Sequence, residues 1–222
     1  MPPKRKASSP APEPSKKAKA TGSAQSDTKK LHFVLAHAAG HHPAGAKHPT
    51  MQRWSTALQQ HGSVNDAMVY PKPFNLMPRL VQAHIEAIQK SKGKVVLVGV
   101  GMGARVAVHL LSGSPGDDGK PLPKVPPAVR EQIAAAVAID YPLLRVGTRE
   151  VRSAPLLALP ADAPPLLLVC GPSDKHSDAS KVGAIAKQMK AAVSLLKLDS
   201  GSETPNESDL QAVVKRAVAL VK

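Results

Sequence analysis

The 222-residue chain holds only two Phe, two Tyr and one Trp, a single cysteine, and no apolar run of bilayer length. Each shortage excludes something. With aromatic residues at 2%, the core must be built from Ala, Val and Leu, which suits a buried parallel sheet clothed by helices. The same scarcity leaves no interleaving of rings and basic side chains for stacking on nucleobases. The lone Cys170 excludes an intramolecular disulfide, so nothing calls for an oxidising compartment. The longest apolar stretch, Val95 to Ala104 with its glycines counted, falls short of the roughly 20 residues that span a bilayer. Residues 1–30 lack the apolar segment of a secretion signal. No membrane association, no sequence-specific nucleic-acid binding and no cofactor are expected, and no repeat of solenoid period is present.

Positive charge is abundant. The net charge is +14. Residues 1–30 carry eight Lys/Arg against Glu13 and Asp27, net +6, which leaves 22 against 14, or +8, on the remainder. Those thirty residues are rich in Pro, Ser, Ala and Lys and too poor in large apolar side chains to offset ordering entropy, so a disordered tail is expected. Within it, Lys4-Arg5-Lys6 and Lys16-Lys17-Ala18-Lys19 form two basic clusters on a short spacer, the pattern of a bipartite nuclear import signal. A nuclear location follows as the expectation. The basic remainder can approach an acidic protein surface or nucleic acid through long-range attraction.

From residue 31 to 222 strands and helices alternate. Leu31–His37 is a short apolar strand, followed by a loop rich in Gly, Pro and His. Helical spacing predicts a helix over 51–60, and Val64–Tyr70 reads as a second strand. A helix is predicted over 77–89, closed by Gly93, then a strand over 94–99 and a helix over 102–112. After a loop of Gly, Asp and Pro from 113 to 127 come a strand over 133–139 and a further irregular stretch. A strand over 165–170, a helix over 181–189, a strand over 193–198 and a helix over 209–221 complete the chain. The alternation implies an α/β domain, a doubly wound, mostly parallel six-stranded sheet with helices on both faces.

The run Gly99-Val100-Gly101-Met102-Gly103-Ala104-Arg105 has the form of a nucleophile elbow, the turn that presents a serine between a strand and a helix. Glycine stands where the serine would be. Together with His37-Ala38-Ala39-Gly40, with Asp140-Tyr141-Pro142-Leu143 and with Leu166 to Asp174, it resembles the α/β-hydrolase fold. More narrowly it resembles the hydrolase-like family that contains testis-expressed protein 30 and the third subunit of the NSL histone acetyltransferase complex. The resemblance covers residues 31–222. It implies that Gly101 replaces the nucleophile, that Asp174 holds the place of the triad acid, and that the amides of Ala38 and Met102 form an oxyanion hole. Gly103 joins these two as a ligand-binding candidate. The base histidine belongs just past the sixth strand, within 199–205, yet no histidine follows His176. With nucleophile and base both missing, acyl transfer loses its mechanism. Gly101 is also expected to relax the turn, because glycine avoids the cost of that backbone region, and to deepen the pocket above it.

Other readings of these residues stay open. Gly99-x-Gly101-x-x-Ala104 matches the dinucleotide fingerprint, though on the third strand and not the first. His37, His41, His42 and His48 crowd one loop, but no acidic or cysteine partner is near in sequence, so no metal site is expected. Arg105 is read as facing solvent or pairing with a carboxylate, Trp54 as core and Cys170 as a small core residue. The leading expectation is a catalytically inactive interaction subunit with protein partners, which the resemblance places in a nuclear, chromatin-modifying complex. The alternatives are a hydrolase of esters, thioesters or amides with an unorthodox nucleophile or an activated water, and a small-ligand or dinucleotide-binding module. Nothing in the residues indicates an oligomeric state.

Overall fold

A computed structural model describes residues 31–41, 44–66, 70, 77–116, 119–145, 147–148, 150–172 and 176–221. The strands are β1 (Leu31–Ala36), β2 (Gly62–Asn65), β3 (Val95–Val100), β4 (Ile133–Ile139), β5 (Leu166–Cys170) and β6 (Val193–Lys197). The helices are α1 (Pro49–Gln59), α2 (Met77–Gln89), α3 (Met102–Ser112), α4 (Pro127–Gln132), α5 (Ala154–Leu157), α6 (Ala179–Ala186) and α7 (Glu207–Ala219). All six strands are parallel, in the order β2-β1-β3-β4-β5-β6.

Successive side chains of a strand point to opposite faces, and here both faces are apolar. Phe33 and Leu35, Val96 and Val98, Val137 and Ile139, and Leu167 and Val169 form one core with Met51, Trp54 and Leu58 of α1 and Leu210, Val213 and Val214 of α7. The intervening residues, such as Val34, Leu97, Ala136 and Leu168, meet α2, α3, α5 and α6 on the other side. Small Ala135, Ala136 and Ala138 in β4 let helices approach the sheet centre with few aromatic rings to fill the space. Trp54 and Cys170 are buried in these cores as expected.

The order of strands sets where a ligand can sit. From β1 the chain travels through α1 to the edge strand β2, whereas β3 leads through α3 the other way to β4. Right-handed crossovers then put α1 and α3 on opposite faces. The divergence opens a crevice at the carboxyl ends of β1 and β3, the switch point at which open α/β sheets bind ligands.

Three expectations need correction. The second strand runs over Gly62–Asn65 and not to Tyr70, since it pairs only with Leu31–Val34 of β1; residues 67–69 lie outside the described residues. Two short helices stand where none is expected, α4 between the loop ending at Pro127 and β4, and α5 within the irregular stretch after β4. Both have proline in their first turn, where the missing N–H costs nothing. Among the described residues, no helix is long and apolar enough to cross a membrane.

Candidate active site

The carboxyl ends of the strands enclose a cleft of about 570 Å³. Ala38 and Ala39 enter from the loop after β1, Gly101 and Met102 from the turn after β3, Asp140 from the end of β4, Gly171 and His176 from beyond β5, and Gly201, Ser202 and Glu203 from the loop after β6. The cleft therefore lies where the sheet topology directs a ligand.

Gly101 alone separates β3 from α3, so the chain reverses sharply there. Its amide donates to the Ile139 carbonyl at 2.8 Å, and its φ of +53° and ψ of −106° lie in a region that side chains rarely adopt. The expected relaxation of the turn does not occur. Glycine removes the strain while the elbow geometry stays, because its neighbours are fixed by packing. A Cβ at Gly99 would overlap the backbone of Gly103 and Ala104, and one at Gly103 would press on the Ala36 carbonyl. Strand and helix thus cross with no side chain between them. Gly103 is buried in that crossing, whereas Ala38 and Met102 line the cleft. Met102 opens α3, and the first amides of a helix have no partner within it. This end of α3 carries the positive pole of the helix dipole. It can hold a polarised oxygen, but Gly101 offers nothing to attack with.

Asp174 and the basic clusters Lys4-Arg5-Lys6 and Lys16-Lys17-Lys19 lie outside the described residues. The buried carboxylate that faces the cleft among the described residues is Asp140, with a φ of +47°. Asp tolerates the left-handed region better than most residues. Its Oδ1 accepts from the Gly171 amide at 2.9 Å, and its Oδ2 accepts from the Ser202 hydroxyl. Ser202 therefore stands in the stretch where the base histidine was sought. The loop that carries it is organised from α7. Asp209 accepts from the amides of Asp199 and Ser200 at 3.1 and 2.8 Å and from the Ser200 hydroxyl. Burial raises the pKa of Asp209, but these hydrogen bonds outweigh it and hold the carboxyl below its ordinary value.

The histidine loop divides into two clusters. His37 is buried, donates from Nδ1 to the Ala38 carbonyl at 2.7 Å, and packs on the Tyr70 ring at 4.5 Å. Tyr70 in turn stacks on His84 at 5.9 Å. Burial lowers the His84 pKa to about 4, although its Nδ1 donates to the Leu80 carbonyl at 2.9 Å. Burial also raises the Tyr70 hydroxyl far above its ordinary value. His41 and His48 stack together in the second cluster, while His42 lies outside the described residues. Arg105 does not face solvent. It is buried on α3, with Nη1 3.6 Å from the Met102 sulfur, because α3 is covered on nearly every side.

Sequence reasoning passed over Asp140 as a cleft residue and missed Ser202 altogether. Asp140 had a signal in its place at the end of a strand, on the same edge as Gly101. Ser202 had none, since its meaning depends on a partner 62 positions away.

A doubly wound parallel sheet with an elbow after its third strand and a cleft at the strand ends defines an α/β-hydrolase-type protein. Residues 29–213 match the alpha/beta hydrolase domain family, and the chain belongs to it. Among solved structures, a dienelactone hydrolase from Anabaena variabilis is 14% identical, with a TM-score of 0.61 and coverage of 87% of this chain and 86% of that one. Alpha/beta hydrolase domain-containing protein 10 from mouse is 12% identical, with a TM-score of 0.58 and coverage of 86% and 89%. Est1E from Butyrivibrio proteoclasticus is also 12% identical, with a TM-score of 0.58 and coverage of 86% and 88%. At such identities the likeness concerns the fold. No curated protein sequence matches the chain.

Proposed function

We propose that this protein is a catalytically silent α/β-hydrolase whose cleft binds a small carbonyl- or carboxylate-bearing group without cleaving it, and which serves as an interaction subunit in the nucleus. The carrying observation is Gly101, which holds the elbow's φ and ψ with no side chain to react. The Ser202–Asp140 pair beyond β6 agrees with this reading, because it joins a hydroxyl directly to a carboxylate. Acyl transfer needs a nucleophile, a base and an orienting group in sequence, and the elbow supplies no nucleophile. The nuclear assignment draws on the two basic clusters in residues 1–30. The chromatin-complex assignment draws on the resemblance to the family of testis-expressed protein 30 and the NSL subunit.

A second reading has its own observation, since Ser202, Asp140 and His176 all line one cleft. In it Ser202 would be a relocated nucleophile. Purified protein treated with a fluorophosphonate probe and with p-nitrophenyl esters separates the two. The silent reading expects neither labelling nor turnover above that of buffer. Labelling that maps to Ser202 and disappears in Ser202→Ala would establish the second reading. A fluorescent fusion should lose its nuclear accumulation when residues 1–20 are deleted, and persistence in the nucleus would refute the import role.

A further inference from the structure

Beside the cleft, the loop after β1 meets the loop after β6. His41 is buried, His48 half-buried, and the Glu203 side chain 62% exposed. One nitrogen from each imidazole and one carboxylate oxygen lie within 4.8 Å of one another. His41 Nε2 donates to Glu203 Oε2 at 2.8 Å. The His41 and His48 rings stack with centroids 3.9 Å apart and planes 13° from parallel. Nδ1 of each ring is buried without a hydrogen-bond partner among the described residues, so both imidazoles keep a nitrogen that no described residue uses. Glu203 is anchored through its backbone, whose carbonyl accepts from Thr50 Oγ1 at 2.6 Å.

Each ring has two nitrogens, so one can face a cation beside the Glu203 carboxylate. A cation can take the place of the proton now shared between His41 and Glu203. Two imidazole nitrogens and one carboxylate oxygen are a donor set for borderline divalent ions, zinc above all. Calcium and magnesium favour oxygen-only shells. Bonds of about 2.0–2.2 Å in a tetrahedral site place ligand atoms about 3.4 Å apart, so the widest separation closes by at most about 1.4 Å, the His41–Glu203 pair opens from 2.8 Å, and one imidazole turns out of the stack so that both lone pairs meet the ion. The exposed Glu203 and the half-buried His48 have room to make that adjustment.

We propose that His41, His48 and Glu203 form a binding site for a zinc-class divalent cation. The ion clamps the loop after β6 onto the loop after β1, and its fourth position is left for water or an oxygen ligand. Because Glu203 also lines the cleft, the ion stands at the cleft's rim. Binding displaces the proton that His41 Nε2 now gives to Glu203.

The test uses the untagged full-length chain, stripped of metal with a chelator and titrated with Co²⁺. We expect one equivalent to bind, with the visible absorption of a four-coordinate site, and to be displaced by Zn²⁺ but not by Mg²⁺. Glu203→Gln changes only an exposed side chain and should leave the circular dichroism spectrum unaltered while weakening binding at least about tenfold. His48→Asn should do the same. Absence of saturable binding, or binding of unchanged affinity in both Glu203→Gln and His48→Asn, overturns the proposal. His41→Asn is a supporting variant only if it remains folded.

Discussion

Ser202 gives its hydroxyl hydrogen to the Asp140 carboxylate, joining the loop after β6 to the end of β4 across the floor of the cleft. Both residues are buried. A hydrogen bond to a charged group in such a place contributes about 1.5–3 kcal/mol. Ser202→Ala should therefore lower the unfolding free energy by that amount in urea denaturation. Ser202→Thr, which keeps the hydroxyl, should lose less. Equal loss in the two variants would mean that packing, and not the hydrogen bond, sets the cost.

Gly101→Ser restores the missing hydroxyl, and the proposed silent site expects no chemistry from it. The new Cβ would stand 3.1 Å from the Ala38 Cβ, and a non-glycine residue at this φ costs about 1–3 kcal/mol. The variant should be destabilised by about that much, measured by thermal or urea unfolding, and should show no ester turnover. Turnover in Gly101→Ser would reveal a functional base in the cleft.

Gly103→Ala tests the strand–helix crossing. Its methyl group would push on the Ala36 carbonyl, which is main chain and held in β1 by the ladder to β3. The backbone cannot yield as a side-chain tip would, so destabilisation above about 3 kcal/mol is expected, beyond the ordinary range for point substitutions. Gly40→Ala serves as the control, since a Cβ there meets nothing within 4 Å. Similar stability in the two variants would contradict the packing account.

His84 gives the fold an acid-sensitive element. Its folded-state pKa of about 4 lies below the ordinary 6.5, so the unfolded chain binds more protons between those values. Stability then rises with pH across the window. The contribution is fully present above about pH 6.5 and is lost as the pH falls towards 4, up to about 3 kcal/mol. His84→Leu should flatten that part of the stability profile. An unchanged slope would assign the acid sensitivity to other groups.

Much of this was legible in the amino-acid sequence because it rests on local rules. Apolar runs bounded by Gly and Pro located β3, β4 and β5 to within a residue, and helical spacing predicted α2 and α3 at their observed ends. The second strand was misjudged because Val64–Tyr70 is apolar enough to be a strand, yet β1 offers it pairing only as far as Asn65. Local preference cannot count the partners a strand will find. Of the two readings of Arg105, facing solvent or pairing with a carboxylate, burial excludes the first, since a charged residue on a helix is read as exposed until the surrounding elements bury it.

By itself the sequence determined the α/β architecture, the elbow with glycine at its centre and the lack of a histidine past His176, for these depend on residue type and order along the chain. Only the tertiary structure decided that the elbow keeps its φ and ψ without a serine, that Asp140 receives Ser202, and that Glu203 reaches His41 across 162 positions. The physical reason is the parallel sheet. It carries every strand's carboxyl end to one edge, so residues far apart in sequence become neighbours at the cleft.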